Sequence, residues 1–190
     1  MADGKRHYTM LNVGRLVEFK DHKTLIKAFA AVVTEFPRWR LKIIGTGALR
    51  TDLDTLVESL SLNNVVKIID RSDDIETDYA NADLFVIPSR YEGFGLVTAE
   101  ASSCGLPCVG FYDAPGTNSI IQDGENGVLV NHNGDKVAAL ASAFRQLLGN
   151  PREMRRLGKN GLFRPNWFEL DTVLDHWEET IVATKDVSLH

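Results

Sequence analysis

Six short apolar runs alternate along this chain with longer stretches in which apolar residues return every three or four positions, and few folds accommodate that order. The runs at 8–14, 39–45, 65–69, 84–88, 107–111 and 127–130 are bounded by Gly, Pro, Asn or Asp and read as strands. Between them, 23–36 sets Leu25, Ile26, Phe29, Val32 and Val33 at helical spacing, and 49–60 repeats the pattern with Leu53, Leu56, Val57 and Leu60. A strand-helix-strand order with right-handed crossovers gives a parallel sheet with helices on both sides, so the expected class is α/β, a doubly wound parallel sheet. The tail changes character: 134–148, 152–161 and 166–184 read as successive helices without strands between them. The last carries an apolar stripe of Trp167, Leu170, Leu174, Trp177 and Ile181, which must bury itself against something. The expected division is a ligand-binding domain over 1–165 and a terminal helix and tail over 166–190, packed on it or on another domain.

Composition narrows the function classes. A chain of 190 residues suits one compact domain, and 44% hydrophobic with 25% charged residues excludes wholesale disorder. The 21 Lys and Arg against 26 Asp and Glu leave a net charge of −5, which repels a nucleic-acid backbone or an anionic membrane surface, so no nucleic-acid partner is expected. Cys104 and Cys108 stand without the paired clusters of a zinc site or a disulfide framework and read as small buried residues in a reducing, cytoplasmic compartment. No apolar run approaches the roughly 20 residues that span a bilayer, and the start of the chain lacks a signal peptide's apolar core, so the chain is expected to be soluble.

Ligands of doubly wound sheets sit beyond the carboxyl ends of the strands, which directs attention to three loops. The first, Gly14-Arg15-Leu16-Val17-Glu18-Phe19-Lys20, brings two cations to a strand end, where they suit a phosphate or diphosphate if they are not simply solvated. His22 follows and reads as an exposed or helix-starting residue. The second, Gly45-Thr46-Gly47-Ala48-Leu49-Arg50, is a partial dinucleotide fingerprint with Arg50 in place of the third glycine; it keeps an NAD-dependent oxidoreductase open as an alternative. In the third, a strand ending at Pro88-Ser89 leads to Glu92-Gly93-Phe94-Gly95-Leu96-Val97 and a helix carrying Glu100. No Ser, Asp or Asn caps that helix, so a bound anion can supply the missing acceptors. Glu92 and Glu100 bracket the anion position, and carboxylates accept hydrogen bonds from sugar hydroxyls, the layout of a nucleotide sugar. Gly14, Gly45, Gly47, Gly105 and Gly127 read as turn residues, whereas Gly93 and Gly95 read as ligand-driven. Asp113 lies at a strand end before the Pro115-Gly116 turn.

These loops, in this order, resemble the C-terminal, donor-binding domain of retaining GT-B glycosyltransferases, in particular glycosyltransferase family 4, the group 1 glycosyl transferases. The resemblance runs from Asn12-Val13-Gly14-Arg15 and Lys20, through Ile44-Gly45-Thr46-Gly47 and Asp83-Leu84-Phe85-Val86-Ile87-Pro88-Ser89, to the Glu92-to-Glu100 pair of the family's E-x7-E motif. It continues through Cys104-Gly105-Leu106-Pro107 and Ile120-Ile121-Gln122-Asp123-Gly124-Glu125-Asn126-Gly127. It implies a single Rossmann-like domain, one half of a GT-B fold, serving a retaining hexosyltransferase. Arg15, Lys20 and Glu92 are then the catalytic set: the two cations hold the donor diphosphate and stabilise the leaving nucleotide in place of a metal, and Glu92 meets the donor sugar. Gly14, Gly93, Phe94, Gly95, Leu96, Val97 and Glu100 form the rest of the nucleotide-sugar site, with Glu100 accepting both ribose hydroxyls. No metal or cofactor is implied, and a UDP-sugar is the favoured donor. Two departures stand out: Asp21 occupies a position where many relatives have glycine, and the glycine usual in the base-binding loop is not evident in Ile69-Asp70-Arg71-Ser72.

A complete GT-B enzyme has two such domains, and this chain has length for one. The implied partners are therefore the donor, a missing N-terminal acceptor-binding domain through which any membrane association would run, and a second copy joined through the terminal helix. The donor half is expected to transfer little alone. The alternative is a non-catalytic nucleotide-binding subunit of a two-chain transferase.

Overall fold

The computed structural model describes residues 6–162. Its strands are β1 (Tyr8–Val13), β2 (Trp39–Ile44), β3 (Val66–Ile69), β4 (Leu84–Ile87), β5 (Cys108–Phe111) and β6 (Gly127–Val130). They form one sheet in the order β3-β2-β1-β4-β5-β6, with every pairing parallel, as the doubly wound reading requires. The helices are α1 (His22–Ala30), α2 (Arg50–Ser59), α3 (Ile75–Asn81), α4 (Leu96–Ser103), α5 (Thr117–Ile120), α6 (Lys136–Leu148) and α7 (Pro151–Leu162), with a 3-10 turn at Glu18–Lys20.

Both faces of the sheet are covered, and the strands alternate between two cores. Met10, Leu41, Ile43, Leu84, Val86, Val109 and Phe111 join Leu25, Phe29, Leu53 and Phe144 of α1, α2 and α6 on one side. Leu11, Ile44, Phe85, Ile87 and Cys108 join Tyr79 of α3 and Ala101 of α4 on the other. Burial on both faces is why β4 and β5 are continuously apolar, whereas β2 and β3 alternate, with Arg40, Lys42 and Lys67 outside the cores. The strand order reverses between β1 and β4. The chain leaves β1 toward α1 on one face and β4 toward α4 on the opposite face, so a crevice opens between the two departing loops.

One local expectation needs correction, and two helices are additional to it. Helix α1 ends at Ala30, and residues 31–36 continue only as turns, with Val33 and Phe36 amides bonding to Phe29 and Val32 carbonyls. The β-branched run Val32-Val33-Thr34 disfavours further helix. Helix α3 lies in a stretch for which the apolar spacing predicted no element; it is short and polar, but Asp74 caps it by accepting from the Thr77 amide at 3.0 Å. One-turn α5 is likewise additional. The terminal helix expected over 166–184, and with it the tryptophan stripe and the 166–190 segment, lies outside the described residues.

The Gly45 and Gly47 loop packs against the loop that follows β1. A Cβ built on Gly45 would fall 1.9 Å from the Gly14 carbonyl oxygen, and one on Gly47 2.4 Å from that of Leu16. The Leu16 amide bonds the Thr46 carbonyl at 2.8 Å and the Leu49 amide returns to the Leu16 carbonyl at 3.0 Å. These glycines exist for backbone approach, which is more than the turn role read from sequence. Gly45→Ala is expected to destabilise the chain by about 1–3 kcal/mol, since backbone must move to admit the methyl; urea unfolding measures it, and an unchanged midpoint would refute the packing account.

Candidate functional site

The two loops of the crevice are joined by a buried ion pair. Lys20 Nζ donates to Glu92 Oε1 at 2.5 Å and Oε2 at 2.6 Å, with 12% and 9% of the respective side chains exposed. Ser89 Oγ, fully buried, donates to the same Oε1 at 2.5 Å. Lys20 and Glu92, assigned from sequence to different parts of a ligand, are thus brought together directly. Arg15 is exposed on the same loop with its guanidinium 5.8 Å from the Phe19 ring centroid. One cation is therefore neutralised by protein and the other faces solvent.

The surrounding backbone holds this arrangement. The Arg90 amide donates to the Phe19 carbonyl at 2.8 Å, and Arg90 Nε donates to Asp21 Oδ2 at 3.2 Å, tying the loop after β1 to the loop after β4. Asp21 has φ 50° and ψ 39°, the left-handed region where glycine is at ease. An aspartate is among the few side chains that visit it, and this one accepts from Thr24 Oγ1 at 2.9 Å. From below, the Glu92 amide donates to the Pro115 carbonyl at 3.0 Å, and a Cβ on Gly116 would lie 2.3 Å from the Glu92 carbonyl oxygen. Gly116, read from sequence as a turn residue, is also what lets the loop after β5 seat Glu92.

Beyond Glu92 the chain turns into α4. Gly95 is the N-cap, at φ 88°, and no side chain caps the helix; Thr98 is the first residue of the turn to close a backbone bond, to the Gly95 carbonyl at 2.8 Å. The Leu96 and Val97 amides therefore stand at the positive end of the helix dipole with Gly93 beside them, where a Cβ would meet nothing within 4 Å. Phe94 and Leu96 are exposed. Glu100 sits on the following turn, exposed, and its Oε2 accepts from Tyr79 Oη at 2.8 Å. Tyr79 is buried in the second core; burial first, and then the hydrogen bond to and charge of Glu100, push its phenol well above the ordinary range.

Other positions fall differently from expectation. His22 opens α1 as foreseen but is buried, 1% exposed, with neither ring nitrogen hydrogen-bonded among the described residues. Desolvation, and then the neighbouring Lys20 charge, lower its pKa from 6.5 to about 4, with Asp21 opposing. Cys104 is exposed, not buried, because it ends α4 at the surface, whereas Cys108 is buried in β5. Arg50, in place of the fingerprint's third glycine, pairs with Asp70 and with Asp54 at 2.8 Å and donates to the Ile68 carbonyl at 3.2 Å. The end of that loop is closed by a guanidinium tied to β3, which disfavours the dinucleotide alternative. Asp113 lies 3.0 Å from His132 Nε2 and 3.9 Å from Lys136 Nζ. Burial opposes its ionisation, but the His132 hydrogen bond and the Lys136 charge prevail and hold it below the usual carboxylate range. Among the described residues no three His, Cys, Asp or Glu side chains gather as a metal site needs, and no helix is long and apolar enough to cross a membrane. Ser89, Tyr79 and the Asp21–Arg90 pair were not singled out from sequence as site residues. Ser89 had a signal in its place beside Pro88 and three residues before Glu92; Tyr79 had none without α3.

A sequence model of the family "Glycosyl transferases group 1" matches residues 3–162. The chain belongs to the group 1 glycosyl transferases. Among similar members is an uncharacterized glycosyltransferase of Haemophilus influenzae, 28% identical over 170 residues, which cover 90% of this chain and 48% of that protein. The pneumococcal O-GlcNAc transferase GtfA, crystallised with UDP and GlcNAc, superposes with a TM-score of 0.83 at 24% identity, covering 96% of this chain and 37% of that one. Sucrose-phosphate synthase of Thermosynechococcus elongatus superposes with a TM-score of 0.79 at 29% identity, covering 94% and 46%. The fold is that of a GT-B glycosyltransferase domain, and this group 1 chain spans less than half the length of each of these relatives.

Two tests follow from the site's electrostatics. Lys20→Met and Glu92→Gln are each expected to cost about 3 kcal/mol by leaving a buried partner unpaired, with the double variant costing less than their sum; additivity in chemical denaturation would refute the coupling. His22 releases its proton on folding, so its contribution is complete above pH 6.5 and lost as pH falls toward 4. Between pH 7 and pH 5 the loss is about 2 kcal/mol, and His22→Leu should flatten the stability profile by that amount; a variant with the wild-type slope would show that His22 does not stay neutral.

Proposed function

We propose that this chain is the donor-binding half of a retaining hexosyltransferase of glycosyltransferase family 4, taking a sugar from a nucleoside diphosphate sugar, with a UDP-sugar favoured, and passing it to an acceptor held elsewhere. The observation that carries the reading is the Lys20–Glu92 pair at the β1–β4 reversal, beside an uncapped helix that presents Glu100. A diphosphate between Arg15, Lys20 and the Leu96 and Val97 amides meets two cations and a helix N-terminus. Charge grows on its bridging oxygen as the glycosidic bond lengthens, and the two cations offset it, so leaving-group departure is helped without a metal or cofactor. Taking Lys20 toward phosphate frees Glu92 for the donor sugar's hydroxyls. Glu92 is the group that steadies positive charge developing at the anomeric carbon, and substitution proceeds on the same face through an oxocarbenium-like ion pair. No covalent nucleophile is assigned. Glu100 accepts the ribose hydroxyls.

The acceptor half of such an enzyme is a separate domain. The exposed Phe19, Tyr91, Phe94, Leu96 and Tyr112 around the site suit a surface that faces such a domain. Alone, the chain is expected to bind donor and transfer little.

Calorimetric titration of the 190-residue chain with UDP, GDP, ADP and NAD, without added metal, tests the reading. One diphosphate, UDP in the favoured case, should bind, and Glu100→Ala or Arg15→Ala should weaken it about tenfold or more, the value of one charge-assisted hydrogen bond. Binding of NAD with no diphosphate bound would overturn it.

A further inference from the structure

We infer that Tyr79 is a positioning residue for nucleotide recognition, holding Glu100 in the orientation in which it accepts the ribose hydroxyls; the inference rests on the proposed donor site. Tyr79 comes from α3, an element outside every loop assigned to the site, and its ring is locked in the second core at 3% exposure, 6.0 Å from the Phe85 ring centroid. Its hydroxyl is the one polar end of that side chain, and it is spent on Glu100 Oε2 at 2.8 Å. Glu100 itself is exposed, and an exposed glutamate otherwise samples many rotamers.

The chemistry of the pair is one-directional. The phenol is held protonated by burial and by the hydrogen bond to and charge of Glu100, so Tyr79 is the donor of this bond and the carboxylate its acceptor. A carboxylate has about four lone-pair sites, and this bond takes one, on Oε2. Oε1 and the remaining lone pair of Oε2 stay available, which suffices for two hydroxyl donors on adjacent carbons. A fixed carboxylate of this kind distinguishes a vicinal diol from a single hydroxyl more sharply than a mobile one, because the second hydrogen bond forms without further ordering. Tyr79 therefore acts on the ribose preference through Glu100 and touches no ligand.

The test compares UDP with 2′-deoxyuridine diphosphate on the full chain, Tyr79→Phe and Glu100→Gln, by calorimetry. The wild type should favour UDP by about tenfold, one hydrogen bond to a charged group. Tyr79→Phe, which removes one oxygen and keeps the packed ring, should lower that preference to roughly threefold or less by weakening UDP while leaving the deoxy ligand nearly unchanged. Glu100→Gln should lose most of the preference. An unchanged ratio in Tyr79→Phe, or equal weakening of both ligands, would reduce Tyr79 to a core residue and overturn the inference while the donor site stands. A wild type that binds neither ligand would remove the uridine donor site on which the inference rests, and one that binds both equally would remove the assignment of Glu100 as a ribose acceptor; the inference falls in either case.

Discussion

Charge that is taken out of water must be met by opposite charge, and in this chain the requirement is satisfied across a gap in the sheet. Lys20 leaves β1 and Glu92 leaves β4, adjacent strands whose connections run to opposite faces, and the two side chains bury their charges against each other. Either charge alone would be left unpaired at high cost, so each loop favours the other's observed path. The remaining contacts follow from that pairing. Ser89 satisfies a further Glu92 lone pair, Arg90 joins Asp21 and the Phe19 carbonyl, and the loop after β5 supports the Glu92 backbone through Pro115 and Gly116.

A buried ion pair is weak evidence for stability, because apolar side chains of similar volume commonly serve as well. Its place at the reversal of strand order, where doubly wound sheets bind ligands, is better accounted for by a ligand that exchanges with one partner. In the proposed reading the diphosphate is that ligand. The resting protein then keeps its principal cation neutralised and releases a carboxylate to the sugar only when the phosphates arrive, so recognition of one half of the donor prepares the site for the other. On the same reading Arg15, exposed over Phe19, is the cation that meets the incoming phosphates first.

How much of this was legible varies with the range of the interaction involved. Strand positions and the parallel class followed from local patterns: an apolar run buried on both faces is visible as such, and helices between strands force parallel crossovers. The loops of the site were also visible, because Gly14 to Lys20 and Glu92 to Glu100 each place their chemistry within a few residues. Helix α3 was not, since a short polar segment stabilised by the Asp74 cap and by Tyr79 packing has no periodicity of its own. The burial of His22 was equally hidden, because a helix-starting histidine beside two charged residues looks solvated until tertiary packing covers it. The same holds for Cys104, whose apolar neighbours in sequence do not cover it.

The sequence by itself determined the fold class, the identity of the loops at the strand ends, and the residue types available for chemistry, because each rests on hydrophobic periodicity, backbone permissiveness or a charge fixed by its side chain. Only the tertiary structure decided which of those residues meet. Lys20 with Glu92 is a contact across 72 positions, Arg90 with Asp21 across 69, and Tyr79 with Glu100 across 21. Such pairs depend on strand order and on which face each helix covers, and it is burial between the strands and helices so arranged that turns ordinary charged and polar residues into a site.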